Sequence, residues 1–137
     1  PEALAKNKHM KLFLFLLTAF VAFTAIVSGA LLVSYPDGSL FSMSTELLAA
    51  TPFKNFLVPG LILCIAVGGT NLIAVIRNLQ THPQRYEWSI AGAVMIMGWV
   101  VVQMLLIAVL HWLQFVYLGI GVMMLLLSWQ LKGKWAV

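Results

Sequence analysis

The chain has 137 residues, of which 62% are hydrophobic and only 9% charged, against roughly a quarter charged in soluble domains. Its mean hydropathy of +0.99 belongs to a chain whose solvent is lipid. The net charge of +4 sits beside apolar runs, where it orients a chain in a membrane, so it argues against a nucleic-acid partner.

The first apolar run extends from about Leu12 to Val33. At about 1.5 Å per residue it is long enough to cross about 30 Å of hydrocarbon. Lys6, Lys8 and Lys11 precede it. It is too long for a signal-peptide core and no clear small-x-small cleavage site follows, so it is read as a retained helix. The loop that follows, about Ser34 to Asn55, is the largest non-spanning segment. Tyr35-Pro36-Asp37-Gly38 predicts a turn, because proline fixes φ and glycine tolerates φ > 0. Ser44 is placed to cap a short helix through Ala50, with Glu46 in its first turn. This helix is expected to lie along the outer membrane surface; a lid over a cavity is the bolder alternative. Thr51-Pro52 has the form of a cap with proline at the first helical position, opening the next span.

The second span covers about Phe56 to Ile76, with Arg77 and Arg85 after it. Pro59 lies near its outer end, where it removes a backbone donor and crowds the Asn55 carbonyl, and Gly60 follows, so a kink is predicted there. Gly68-Gly69-Thr70-Asn71 further along combines two weak helix formers with two polar side chains able to bond freed backbone groups. The third span covers about Trp88 to Leu110 and the fourth about Phe115 to Leu131, followed by Lys132 and Lys134. Placing the amino terminus inside puts every Lys and Arg except Lys54 on one side, seven against one. The expectation is an all-α membrane protein: an antiparallel four-helix transmembrane bundle occupying the whole chain as one domain, with both termini cytoplasmic, in the inner membrane if bacterial.

Each span offers a stripe of small or polar residues: Thr18, Ala22, Ala25 and Gly29; Gly60, Cys64, Gly68 and Asn71; Gly92, Trp99 and Gln103; Tyr117, Gly121 and Ser128. Such stripes let helix backbones approach in lipid and are expected to turn inward. Trp88, Trp112, Trp129 and Trp135 fall at predicted interfaces as belt anchors, whereas Trp99 falls near mid-span and needs an acceptor for its N–H.

No Asp, Glu, Lys, Arg or His lies in the core of any span, which argues against a proton relay or ion-coupled transporter. His9 and His82 are expected at one side of the membrane and His111 at the other, so they cannot share a metal or haem. Cys64 has no partner for an internal disulfide. No nucleophile–base pair, phosphate loop or metal-ligand cluster is visible, and no cofactor is expected. Gln103, Trp99, Asn71 and Pro59 are the candidate positions for ligand contact, with interhelical hydrogen bonding and packing as the plainer reading of the same residues.

The strings from Thr51 to Leu61, Gly68-Gly69, His82-Pro83, Gly98 to Gln103 and Trp112-Leu113-Gln114 resemble a group of small bacterial four-span integral membrane proteins. The likeness covers about Tyr35 to Gly121. It implies fold and membrane location and carries no activity. A looser similarity to DoxX-like proteins is one of length and topology. The leading functional expectation is a non-enzymatic accessory or scaffold component, self-associating or part of a larger membrane complex. The alternative is a carrier, channel or binder for a small apolar or lipid-like molecule.

Overall fold

A computed structural model describes residues 2–35, 55–106 and 112–134. Among these residues every regular element is helical. Helix α1 is Glu2–Ser34; the second span is α2 (Leu57–Leu61), a π-helical stretch (Ile62–Gly68) and α3 (Gly69–Leu79); α4 is Arg85–Leu106; α5 is Trp112–Trp129, continued by a π-helical turn, Gln130–Lys134. Four helical stretches are long and apolar enough to cross a membrane: Lys8–Ser34, Leu57–Leu79, Arg85–Leu105 and Trp112–Lys132. That is the signature of an integral membrane protein. The predicted turn at Tyr35–Gly38, apart from Tyr35 itself, the surface helix Ser44–Ala50, the Thr51-Pro52 cap, Lys54, residues 107–110 of the third span, His111 and Trp135 lie outside the described residues.

The helices outrun the apolar runs that announced them. α1 begins at Glu2 and α4 at Arg85, because polar and basic residues continue a helix beyond the hydrocarbon once its interior turns are formed.

Packing runs in a ring: first span on second, second on third, third on fourth, fourth back on first. Glycines give the direction. Gly29 faces Gly60 and Cys64, Gly60 faces Leu32 and Val33, and Gly68 faces Ile26, so position rises in one helix as it falls in the other and the two are antiparallel. A methyl group added at Gly29 would lie 2.5 Å from the Cys64 backbone nitrogen and 2.6 Å from the Gly60 carbonyl oxygen. The backbones therefore touch at this crossing, the geometry that small-xxx-small stripes permit in lipid. On the other side, Gly121 of α5 faces Ala93, Ile96 and Met97 of α4. The Phe20 and Tyr117 rings stack at 6.0 Å between α1 and α5.

The stripes turn inward. Thr18, Ala22, Ala25, Asn71, Ser128 and the glycines 29, 60, 68, 92 and 121 are buried, while Trp99, Gln103, Tyr117 and Cys64 are half-buried. Leu14, Val21, Val67 and Met124 fill the centre, each shielded almost completely. Phe13, Phe20, Phe23, Ile65, Leu105 and Phe115 stand on the outer surface, as expected where the surrounding medium is apolar.

The second span departs from the prediction in one respect. Pro59 is the third residue of α2, inside the first turn, where backbone N–H groups have no intrahelical acceptor to lose. The Leu57 N–H finds the Asn55 side-chain oxygen at 3.0 Å, and just past the proline the Gly60 N–H bonds the Phe56 carbonyl at 2.8 Å. The irregularity lies after the proline, as the π-helical stretch Ile62–Gly68. A π register misaligns carbonyls with the donors four residues on, and here side chains supply donors. Thr70 Oγ1 donates to Ala66 O at 2.6 Å and Asn71 Nδ2 to Val67 O at 2.8 Å.

Candidate functional site

The polar residues of the second and third spans meet along one seam. Asn71 is completely buried. Its Nδ2 donates to Val67 O in its own span and, at 3.2 Å, to the Gly92 carbonyl of α4. The amide packs against the glycine, and a methyl group added at Gly92 would meet Asn71 Oδ1 at 2.5 Å. Oδ1 itself is buried and has no hydrogen-bond partner.

Two turns further along α3, Asn78 repeats the arrangement. Its Nδ2 donates to Ala74 O at 2.7 Å and to Ser89 Oγ at 3.0 Å, and Ser89 Oγ donates on to Arg85 O at 3.0 Å. Asn71 and Asn78 are seven residues apart and so share a helix face, while Ser89 and Gly92, three apart, share the facing one. Two amides thus tie α3 to α4. α4 packs most closely on this part of the second span and less on Ile62–Gly68.

The hairpin at the end of the seam is built from the backbone. The Thr81 N–H bonds Asn78 O and the His82 N–H bonds Arg77 O, at 3.2 and 3.0 Å. This is the paired bonding of a Schellman motif, with Thr81 at φ 49 in the left-handed position. Arg85 folds back, its Nη1 donating to His82 O at 2.9 Å and Thr81 O at 3.3 Å, its guanidinium 4.6 Å from the Tyr86 ring centre. Arg77 Nη1 donates to Gln80 Oε1 at 3.0 Å, and its buried Nε has no partner.

Elsewhere the buried hydroxyls bond their own helices. Thr18 Oγ1 donates to Leu14 O at 2.7 Å and Ser128 Oγ to Met124 O at 2.6 Å, the back-bonding common for Ser and Thr in apolar helices. Among the described residues, the buried polar side chains are Thr18, Asn71, Ser89 and Ser128. None of these titrates near neutral pH. They can hold helices together or solvate a neutral polar group, and they cannot act as a general acid or base.

The four sequence-derived candidates do not converge. Asn71 sits opposite Gly92, whereas Gln103 lies eleven residues further along α4, about 16 Å at helical rise. Pro59 is buried at the far end of the second span. Trp99 and Gln103 are half-buried on α4, and neither side chain makes a hydrogen bond among the described residues. Asn78 and Ser89 were not among the candidates. The signal for them was the sevenfold spacing from Asn71 and the short hairpin that returns α4 alongside it.

Among the described residues no three His, Cys, Asp or Glu side chains group as metal ligands. No protein family, curated protein or solved structure matches the chain.

Proposed function

We propose that this chain is a non-enzymatic component of a membrane, an accessory or scaffold subunit that works by packing against copies of itself or other spanning chains. Both termini are placed on the cytoplasmic side, in the inner membrane if the source is bacterial. The observation that carries the reading is how the spans use their polar groups. The buried hydroxyls and amides bond backbone carbonyls or one another within the bundle, and the outward faces present aromatic and aliphatic side chains. Such a molecule offers neighbours a shaped apolar surface. Sizing in mild detergent combined with crosslinking in native membranes tests it. A defined oligomer or a reproducible neighbour is expected, and a strict monomer with no crosslinked neighbour sinks the proposal.

A second reading, a carrier or binder for a small apolar or lipid-like molecule, draws on the unsatisfied Oδ1 of Asn71. A ligand retained through purification, with its retention weakened by Asn71→Leu and not by Gln103→Leu, would favour it over the scaffold.

A further inference from the structure

On the outer surface between α4 and α5 lies a groove of about 370 Å³ lined by Ile90, Leu125, Trp129 and Lys132. Antiparallel helices put the start of α1, the α3–α4 hairpin and the end of α5 at one end of the bundle. The groove opens there, at the end that carries Lys8, Lys11, Arg77 and Arg85. The π-helical turn Gln130–Lys134 sets the phase at its rim, with Leu131 buried and Lys132 exposed.

The nearby cations differ in how they are engaged. Arg85 is held by the Thr81 and His82 carbonyls and Arg77 by Gln80. The Lys132 ammonium makes no hydrogen bond or ion pair among the described residues. Glu87, the acid on α4 three residues before Ile90, is exposed and not paired with it. Trp129 stands 56% exposed beside it. An indole and an ammonium at the end of a spanning helix, above a slot walled by Ile and Leu, match a phospholipid group by group. The ammonium meets the phosphate, the indole lies at the level of the ester groups, and the aliphatic walls face an acyl chain. At this volume, near the small end of ligand sites of about 300–1,000 Å³, the groove takes a headgroup and the first part of one chain.

We propose that this groove binds an anionic phospholipid, its phosphate on Lys132, its glycerol region beside Trp129 and one acyl chain along Ile90 and Leu125. The choice of an anionic headgroup follows from charge complementarity with the exposed Lys132 ammonium at the rim, whichever leaflet the groove faces. The leaflet rests on the orientation given under Proposed function; the binding does not.

The test uses the full-length protein in mild detergent, with lipid retention read by native mass spectrometry. Phosphatidylglycerol and phosphatidylcholine of matched acyl chains are the probes. Wild type retains phosphatidylglycerol in preference to phosphatidylcholine. Lys132→Gln lowers phosphatidylglycerol retention about fivefold and leaves phosphatidylcholine unchanged. Leu125→Trp, which fills the slot, lowers both. Lys11→Gln, an exposed lysine at the same end on another helix, leaves the preference intact. Equal retention of the two lipids by wild type overturns the proposal, as does an equal effect of Lys11→Gln and Lys132→Gln, which would mean diffuse surface charge. Cysteines introduced at Ile90 and Leu125 that crosslink between copies would show a second chain in the groove and overturn it as well. Lys132 is exposed, so its variant tests binding rather than folding. Loss of the scaffold reading appears in the crosslinking pattern and does not alter the lipid preference.

Discussion

Asn71 shows what a single amide does when its surroundings are apolar. Its Nδ2 is doubly used and its Oδ1 unused, so its net contribution is the difference between an interhelical bond, about 0.6 to 2 kcal/mol, and an orphaned acceptor. What the amide requires above all is a residue without a side chain opposite. Gly92→Ala would place a methyl group against Oδ1 and is expected to lower stability in detergent by about 1–3 kcal/mol, the usual range for overpacking. Asn71→Ala removes the obstacle, so the double variant should be no less stable than Asn71→Ala alone. Thermal unfolding of the four proteins in one detergent measures this. Independent, additive losses would show that the two residues do not meet. The need of Asn71 for a partner was legible in the sequence; that the partner is a glycine carbonyl was not.

At the level of elements, the second span is the least regular and the most constrained. Its glycines look alike in the sequence and differ in the fold. Gly29 of α1 and Gly60 form a backbone-to-backbone crossing, while a methyl group added at Gly69 meets nothing within 4 Å. Gly29→Ala must therefore push two helices apart and is expected to destabilise by about 1–3 kcal/mol. Gly69→Ala should stabilise by about 0.5–1 kcal/mol through the lower entropy of the unfolded chain and better helix propensity. Opposite shifts in unfolding midpoint are the expected result, and equal shifts of one sign would contradict the crossing geometry. The sequence marked Pro59 as the point of disturbance, yet the π-helical stretch follows it. A proline in a first turn is harmless, and whether a helix begins two residues before a proline or ten is set by tertiary packing.

For the whole molecule, the antiparallel ring puts the described cations Lys8, Lys11, Arg77, Arg85 and Lys132 at one end. The proposed orientation turns that end to the cytoplasm, following the bias that Lys and Arg impose during insertion. A cysteine introduced at Gln84, in the exposed hairpin, with Cys64→Ala as background, is expected to resist a membrane-impermeant maleimide in intact cells and react in inverted vesicles. Labelling from outside would reverse the orientation and move the lipid groove to the other leaflet, while leaving the bundle itself untouched.

The four membrane-length helices and their small-residue faces were determined by the sequence alone. Each follows from a local property, namely apolar length against bilayer thickness and helical spacing of glycine, alanine and hydroxyl residues. The tertiary structure decided which stripe meets which. It brought Asn78 to Ser89 and Asn71 to Gly92, separated Asn71 from Gln103 along the helix axes, and opened a slot between Ile90 and Leu125 beside a lysine with no pair among the described residues. These depend on the rotation and register of one helix against another. In lipid, where apolar contact carries little preference, a few close backbone approaches and interhelical hydrogen bonds decide both, and no single segment contains them.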